Sequence, residues 1–160
     1  MVETREAEHA DDLLEYADPR DPLVWLRRGE GFVAVGGAAP VAAIHIPGGE
    51  AERSVRMAEA WRALSADAVV DDAVQVPGTG LVGFTALAFD DRSAAASVLI
   101  VPSVIVGRRG GRSWITRITR EGAPLPEAPT APTPYGPHWS ATLGPGALAP
   151  EGYQAAVRGG

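Results

Sequence analysis

Between residues 81 and 119 apolar positions come in strand-length blocks instead of at helical spacing. Runs rich in Val, Ile, Thr, Phe and Trp occupy 81–89, 97–106 and 113–118, separated by Asp90-Asp91-Arg92 and by the Gly-Arg stretch 107–112. β-branched and aromatic side chains fit a pleated surface, and Gly and Asp punctuate it, so the pattern predicts an antiparallel meander of three strands. In the third run Trp114, Thr116 and Ile118 fall on one side, and Ile115, Arg117 and Thr119 on the other, which predicts a sheet with one wetter face. Residues 98–101 are continuously apolar and predict a strand inside the sheet, covered on both faces. Pro102 has no N–H to give a ladder and predicts a bulge or break.

The rest of the chain is arranged around this block. Residues 10–17 predict a short helix carrying Leu13, Leu14 and Tyr16, stopped at Asp18-Pro19 because the residue before proline is pushed out of the α region. Strands are predicted at 23–27 and 32–35 around the turn 28–31, with a third at 41–46 after Gly36-Gly37. One long helix is predicted at 50–68. Val55, Ala58, Ala60, Trp61, Leu64 and Ala68 form its apolar stripe, and Arg53, Arg56, Glu59, Arg62 and Asp67 its wet face. Residues 69–77 read as a connection with Asp71-Asp72 in solvent, and 77–80 as a turn into the meander. Pro124, Pro126, Pro129, Pro132, Pro134 and Pro137 then predict an extended linker, the least ordered internal segment. A short strand is predicted at 139–143, and Pro150 opens a helix over 150–157.

The expected architecture is α+β, an antiparallel meander sheet packed with one long helix. The expected division is a β-rich N-terminal domain over 1–120 that includes the helix 50–68, a Pro-rich linker over 121–138, and a short strand with the start of a truncated helix over 139–160.

With 160 residues, 46% of them hydrophobic, one domain with a real core is expected. Net charge is −6, which disfavours nucleic acid and anionic membrane as partners. Absence of cysteine excludes disulfides and thiolate metal sites and fits a reducing compartment. The opening residues Val2-Glu3-Thr4-Arg5-Glu6 lack the apolar core of a signal peptide, and no run approaches the roughly 18 apolar residues of a spanning helix. A cytoplasmic location is expected.

Chemistry is sparse. His9, His45 and His138 have no second ligand at metal-binding spacing. The sequence Pro77-Gly78-Thr79-Gly80 lacks the Lys-Ser/Thr of a phosphate loop and precedes strand, so it reads as a turn. Arg108, Arg109 and Arg112 cluster on a hairpin tip and read as a solvated turn that keeps an edge soluble. Asp90-Asp91 reads as a polar turn. Trp25, Trp61, Trp114 and Trp139 read as packing residues and not as a stacking platform. No catalytic, cofactor-binding or metal-binding residue is assigned.

The order of motifs carries a resemblance. DPLVWLRRGEGFVAVGG (21–37), RMAEAWRAL (56–64), VPGTGLVGFTALAFD (76–90), SVLIVPSVIVGRRGGRSWIT (97–116) and PEGYQAAV (150–157) follow one another in a series that resembles the N-terminal region of isochorismate synthases, in the chorismate-utilising enzyme family. The match spans roughly residues 22–157. The resemblance implies part of a large α/β sandwich of antiparallel sheets that packs with a longer C-terminal chorismate-binding region. It implies conversion of chorismate to isochorismate by the complete enzyme, an isomerase feeding menaquinone or siderophore synthesis, with magnesium as its cofactor. The family's base lysine, acid glutamate and magnesium-binding glutamates all belong to that C-terminal region. This sequence contains no lysine, so no catalytic role transfers to any position in it and no cofactor is expected in this chain. Related anthranilate synthases carry a Leu-Leu-Glu-Ser motif that helps bind inhibitory tryptophan. Trp25, Leu26 and Arg27 at the matching stretch offer no Glu-Ser pair, which points away from that regulation.

Three expectations compete: the N-terminal portion of an isochorismate synthase-like enzyme, a stand-alone non-catalytic binding or interaction module derived from that family, and an unrelated small β-rich binding protein. The expected partners are the C-terminal region, or a second copy of the chain paired through an exposed sheet.

Overall fold

The computed structural model describes residues 1–8, 10–129, 142, 144, 146 and 149–158. The predicted strand at 139–143 lies outside them but for Thr142, as do His9, His138, Trp139 and residues 130–138 of the predicted linker. Residues 124–129 carry no regular secondary structure.

The described chain is α+β, with nine strands and two α-helices. In chain order these are β1 (Val2–Ala7), β2 (Val24–Arg27), β3 (Glu30–Ala34), β4 (Ala42–Ile46), α1 (Arg53–Ala66), β5 (Val70–Asp72), β6 (Phe84–Ala86), β7 (Ser97–Val101), β8 (Val104–Arg109), β9 (Arg112–Ile118) and α2 (Pro150–Arg158). A six-stranded sheet has the order β2-β3-β8-β9-β1-β5, and a three-stranded sheet the order β4-β7-β6. All pairings are antiparallel except β1 with β5.

The predicted single meander is divided between these two sheets. β6 and β7 pair in the small sheet, and β8 and β9 pair in the large one. The division falls at Pro102, where the middle run leaves one sheet and enters the other. A residue without N–H cannot continue a ladder, so the chain changes sheets there. β7 is the central strand of its sheet, as expected, with Leu99 and Val101 buried and Val98 and Ile100 half-buried. The predicted alternation in β9 holds. Trp114, Thr116 and Ile118 are buried, whereas Ile115 and Arg117 are half-buried.

Two strands have no counterpart in the hydrophobic pattern. β1 lies between β9 and β5, with Val2 opposite Ile118 and Thr4 opposite Thr116. Its inward positions are Val2, 1% exposed, and Thr4, 0% exposed, whose hydroxyl meets that of Thr116 at 2.9 Å. Its outward positions carry charge: Glu3 pairs with Arg117 of β9 and with Arg5, and Arg5 pairs with Asp71 of β5. β5 replaces part of the predicted connection at 69–77.

The predicted helix 10–17 is a single 3-10 turn, Leu13–Tyr16, capped by the Asp12 carboxylate, which accepts from the Leu14 N–H at 2.9 Å. Leu13 packs with Val33 and Val106 on one side of the large sheet. The main core joins Val2, Ile105 and Ile118 of the large sheet to Ile46, Leu99 and Val101 of the small one and Met57 of α1. α1 is shorter than the predicted 50–68 and is turned about its axis. Arg53 and Met57 are buried, Trp61 and Leu64 half-buried, and Val55 is 49% exposed. Arg53 thus belongs to the inner stripe and Val55 to the outer face. No helix among the described residues is long and apolar enough to cross a membrane.

Candidate functional site

The inner face of the large sheet is covered at one end and open at the other. Trp25, Phe32, Gly107 and Trp114 are cross-strand partners along β2, β3, β8 and β9, and therefore share that face. Trp114 is fully buried and lies over Gly107, where a Cβ would stand 2.3 Å from Trp114 Cζ2. The Trp114 indole N–H has no partner among the described residues. Phe32 meets Phe84 of β6 edge-on, with ring centroids 5.6 Å apart. The turn at Pro77-Gly78 closes over Phe32, since a Cβ on Gly78 would sit 2.9 Å from Phe32 Cδ1. One strand farther out this cover ends, and Trp25 is 71% exposed. The expectation that Trp25 packs inside therefore fails, because nothing described extends beyond β2.

The uncovered end forms a groove of about 740 Å³, walled by Trp25 and Phe32 and rimmed by Arg27, Arg28, Arg109 and Glu30. The Glu30 carboxylate accepts from the Gly110 N–H at 2.9 Å. The side chains of Arg27, Arg28 and Arg109 make no hydrogen bond or ion pair with any described residue. The other arginines of the hairpin tip are structural, which corrects their reading as a solvated turn. Arg108 donates to the carbonyls of Ala10, Asp11 and Gly29 at 2.6, 3.1 and 2.6 Å. Arg112 donates to Glu6 at 2.7 Å and to the Val74 carbonyl at 2.8 Å.

The other polar residues singled out in the sequence hold loops. Asp72 is half-buried instead of lying in solvent, and accepts from the N–H groups of Val74 and Gln75 at 2.9 and 3.0 Å and from the Thr79 hydroxyl at 2.5 Å. Burial pushes the Asp72 carboxyl up, but the bonds from Thr79, Gln75 and Val74 and the charge of Arg112 outweigh it and hold the group below the ordinary carboxylate range. This carboxylate ties down the 77–80 turn, so the turn is an anchored loop. Asp90 pairs with Arg92, and that contact, with the Arg92 N–H, lowers its pKa. Arg53, 2% exposed, donates to the carbonyls of Glu50, Ala95, Asp91 and Ser93 at 3.0, 2.8, 2.5 and 2.6 Å and so fixes the 90–96 loop. His45 is exposed on β4.

No three His, Asp or Glu side chains converge as a metal site among the described residues, so the magnesium implied by the resemblance finds no ligand set in them. The exposed features of the described residues are a cationic, aromatic groove beside a sheet edge, and α2, whose Tyr153 and Val157 lie one turn apart and are 64% and 63% exposed. A basic residue two positions beyond a strand tryptophan was the available signal for the groove, but the sequence could not show where its cover ends. No family model matches the chain, and no curated protein or solved structure is significantly similar to it.

Proposed function

We propose that this chain is the N-terminal, non-catalytic portion of an isochorismate synthase-like enzyme, which when complete converts chorismate to isochorismate for menaquinone or siderophore synthesis. The observation that carries this reading is α2, a nine-residue helix with no buried residue and with Tyr153 and Val157 on one exposed face. A helix of this length is marginal in water alone, and an apolar i, i+4 pair is stabilised when a neighbouring element covers it. A chorismate-binding region that follows and packs on α2 supplies that cover.

The order of motifs supports the same reading. The 21–37 motif holds the β2–β3 hairpin, the 56–64 motif lies in α1, the 97–116 motif runs through β7 and β8 into β9, and the 150–157 motif is α2. With no lysine in the sequence, the base, acid and magnesium ligands come from the C-terminal region, and the residues described here supply scaffold.

The test is the coding sequence beyond Gly160 together with an activity assay. A continuation bearing a lysine-containing strand and downstream glutamates is expected. Purified 1–160 with chorismate and magnesium is expected to form no isochorismate, and the continuous polypeptide to form it. A stop codon after Gly160 would leave the stand-alone interaction module, and turnover by 1–160 alone would overturn both.

A further inference from the structure

The edge of the large sheet beside the cationic groove has a composition that selects a particular kind of partner. β2 is the terminal strand, so its outer N–H and C=O groups have no ladder partner among the described residues. Side chains alternate along it. Trp25 and Arg27 face the groove, whereas Val24 and Leu26 face the opposite side and pack at the margin of the core around Val33 and Val106. The β2–β3 turn adds a further cation. Arg28 has φ 55° and Gly29 φ 78°, so a bulky side chain occupies the left-handed position that Asn, Asp or Gly normally takes in a two-residue hairpin. That conformation places Arg28 on the groove rim with Arg27 and Arg109. Three guanidinium groups without described partners thus surround one carboxylate that is already engaged, in a chain whose net charge is −6.

We propose that β2 and this groove form a docking site for an extended acidic segment of a partner protein, which adds to the sheet as an antiparallel strand. Backbone pairing with β2 supplies its affinity, and the side chains supply its specificity. The residue opposite Trp25 and the residue opposite Arg27 lie two apart on the groove face. The first is apolar or aromatic and the second acidic. The acid opposite Arg27 shares its sheet face with Arg109, and an adjoining second acid lies past the end of β2, beside Arg28 of the turn. Residues opposite Val24 and Leu26 are apolar. Reading antiparallel, the recognised pattern is two acids followed by three apolar residues with a large one in the centre. Arginine forks suit carboxylates, and an indole face suits a flat apolar side chain.

The site goes beyond the proposed enzyme part and does not depend on it, because its test measures binding by the chain and no catalysis. A fluorescein-labelled peptide GEEVFVTG is titrated with the 1–160 protein and followed by anisotropy. Its charge-reversed counterpart GKKVFVTG and a scramble of the same composition serve as controls. Saturable binding of the first peptide is expected, at least about tenfold tighter than either control, and weakening as salt is raised. Arg27→Ala combined with Arg109→Ala is expected to weaken it at least about tenfold, as is Trp25→Ala, with circular dichroism unchanged because all three side chains are exposed. The proposal is overturned by no binding, by equal binding of the charge-reversed or scrambled peptide, or by affinity that survives loss of both arginines. It is likewise overturned if citrate or inorganic phosphate binds the groove and the peptide does no better, which would assign the arginines to a small anion.

Discussion

Arg53 stands at the first position of α1, where the helix dipole opposes a cation, and the preceding residue Glu52 provides no side-chain cap. Its position is explained by the 90–96 loop, whose carbonyls at Asp91, Ser93 and Ala95 it binds, with the charge of Asp90 nearby. Arg53→Ala leaves those three acceptors without their donor. An unmet dry carbonyl costs about 1–3 kcal/mol. Residues 94–96 are exposed, so water replaces part of the loss, and the lower end of the range applies. Three acceptors then give a destabilisation of about 3 kcal/mol, against a total of about 5–15 kcal/mol for a domain. In a chain of this size that lowers Tm by about 10 °C. Urea titration followed by circular dichroism measures the free energy, and hydrogen exchange should show lost protection confined first to the 90–96 loop and the start of α1. Arg56→Ala is the control: Arg56 pairs with Glu50 on the surface, and its loss is expected to cost under about 0.5 kcal/mol. If Arg53→Ala costs no more than Arg56→Ala, the buried guanidinium is not what holds the loop.

Three further perturbations address other parts of the fold. Gly107→Ala should push a methyl group into the Trp114 ring and destabilise by about 1–3 kcal/mol, read as a lower urea midpoint and a changed indole emission. Glu52→Asn should stabilise by about 1 kcal/mol in thermal melts, because Asn tolerates the left-handed φ of 58° better than Glu does. Asp72→Asn should destabilise most at neutral pH. The Asp72 carboxyl is held below its unfolded value, so its contribution is present above the unfolded pKa of about 3.9 and fades as pH falls through the folded one. The stability difference between wild type and variant should therefore shrink on acidification, and a difference that grows instead would reverse the assignment.

The hydrophobic pattern by itself determined the β-rich class, the β2–β3 hairpin, β4, β7, the β8–β9 hairpin and the existence of both helices, because each places apolar side chains on one side at its own period. Tertiary structure decided the rest. β1 reads as a polar stretch because one side of it is an ion-pair ladder and its buried Thr4 is satisfied by a hydroxyl 112 residues away. β5 is too short, and too acidic at Asp71 and Asp72, to register as a strand until β1 and Arg5 are beside it. Helical spacing gave α1 its stripe, but the carbonyls that turn Arg53 inward belong to a loop some 40 residues later, which no local period reports. Pro102 announced a break without saying that the chain would change sheets, since that depends on which strands arrive to pair on either side. The groove was least legible of all. Period two along β2 puts Trp25 and Arg27 on one face, but whether that face is core or open ground is set by where the turn at Pro77-Gly78 stops covering it.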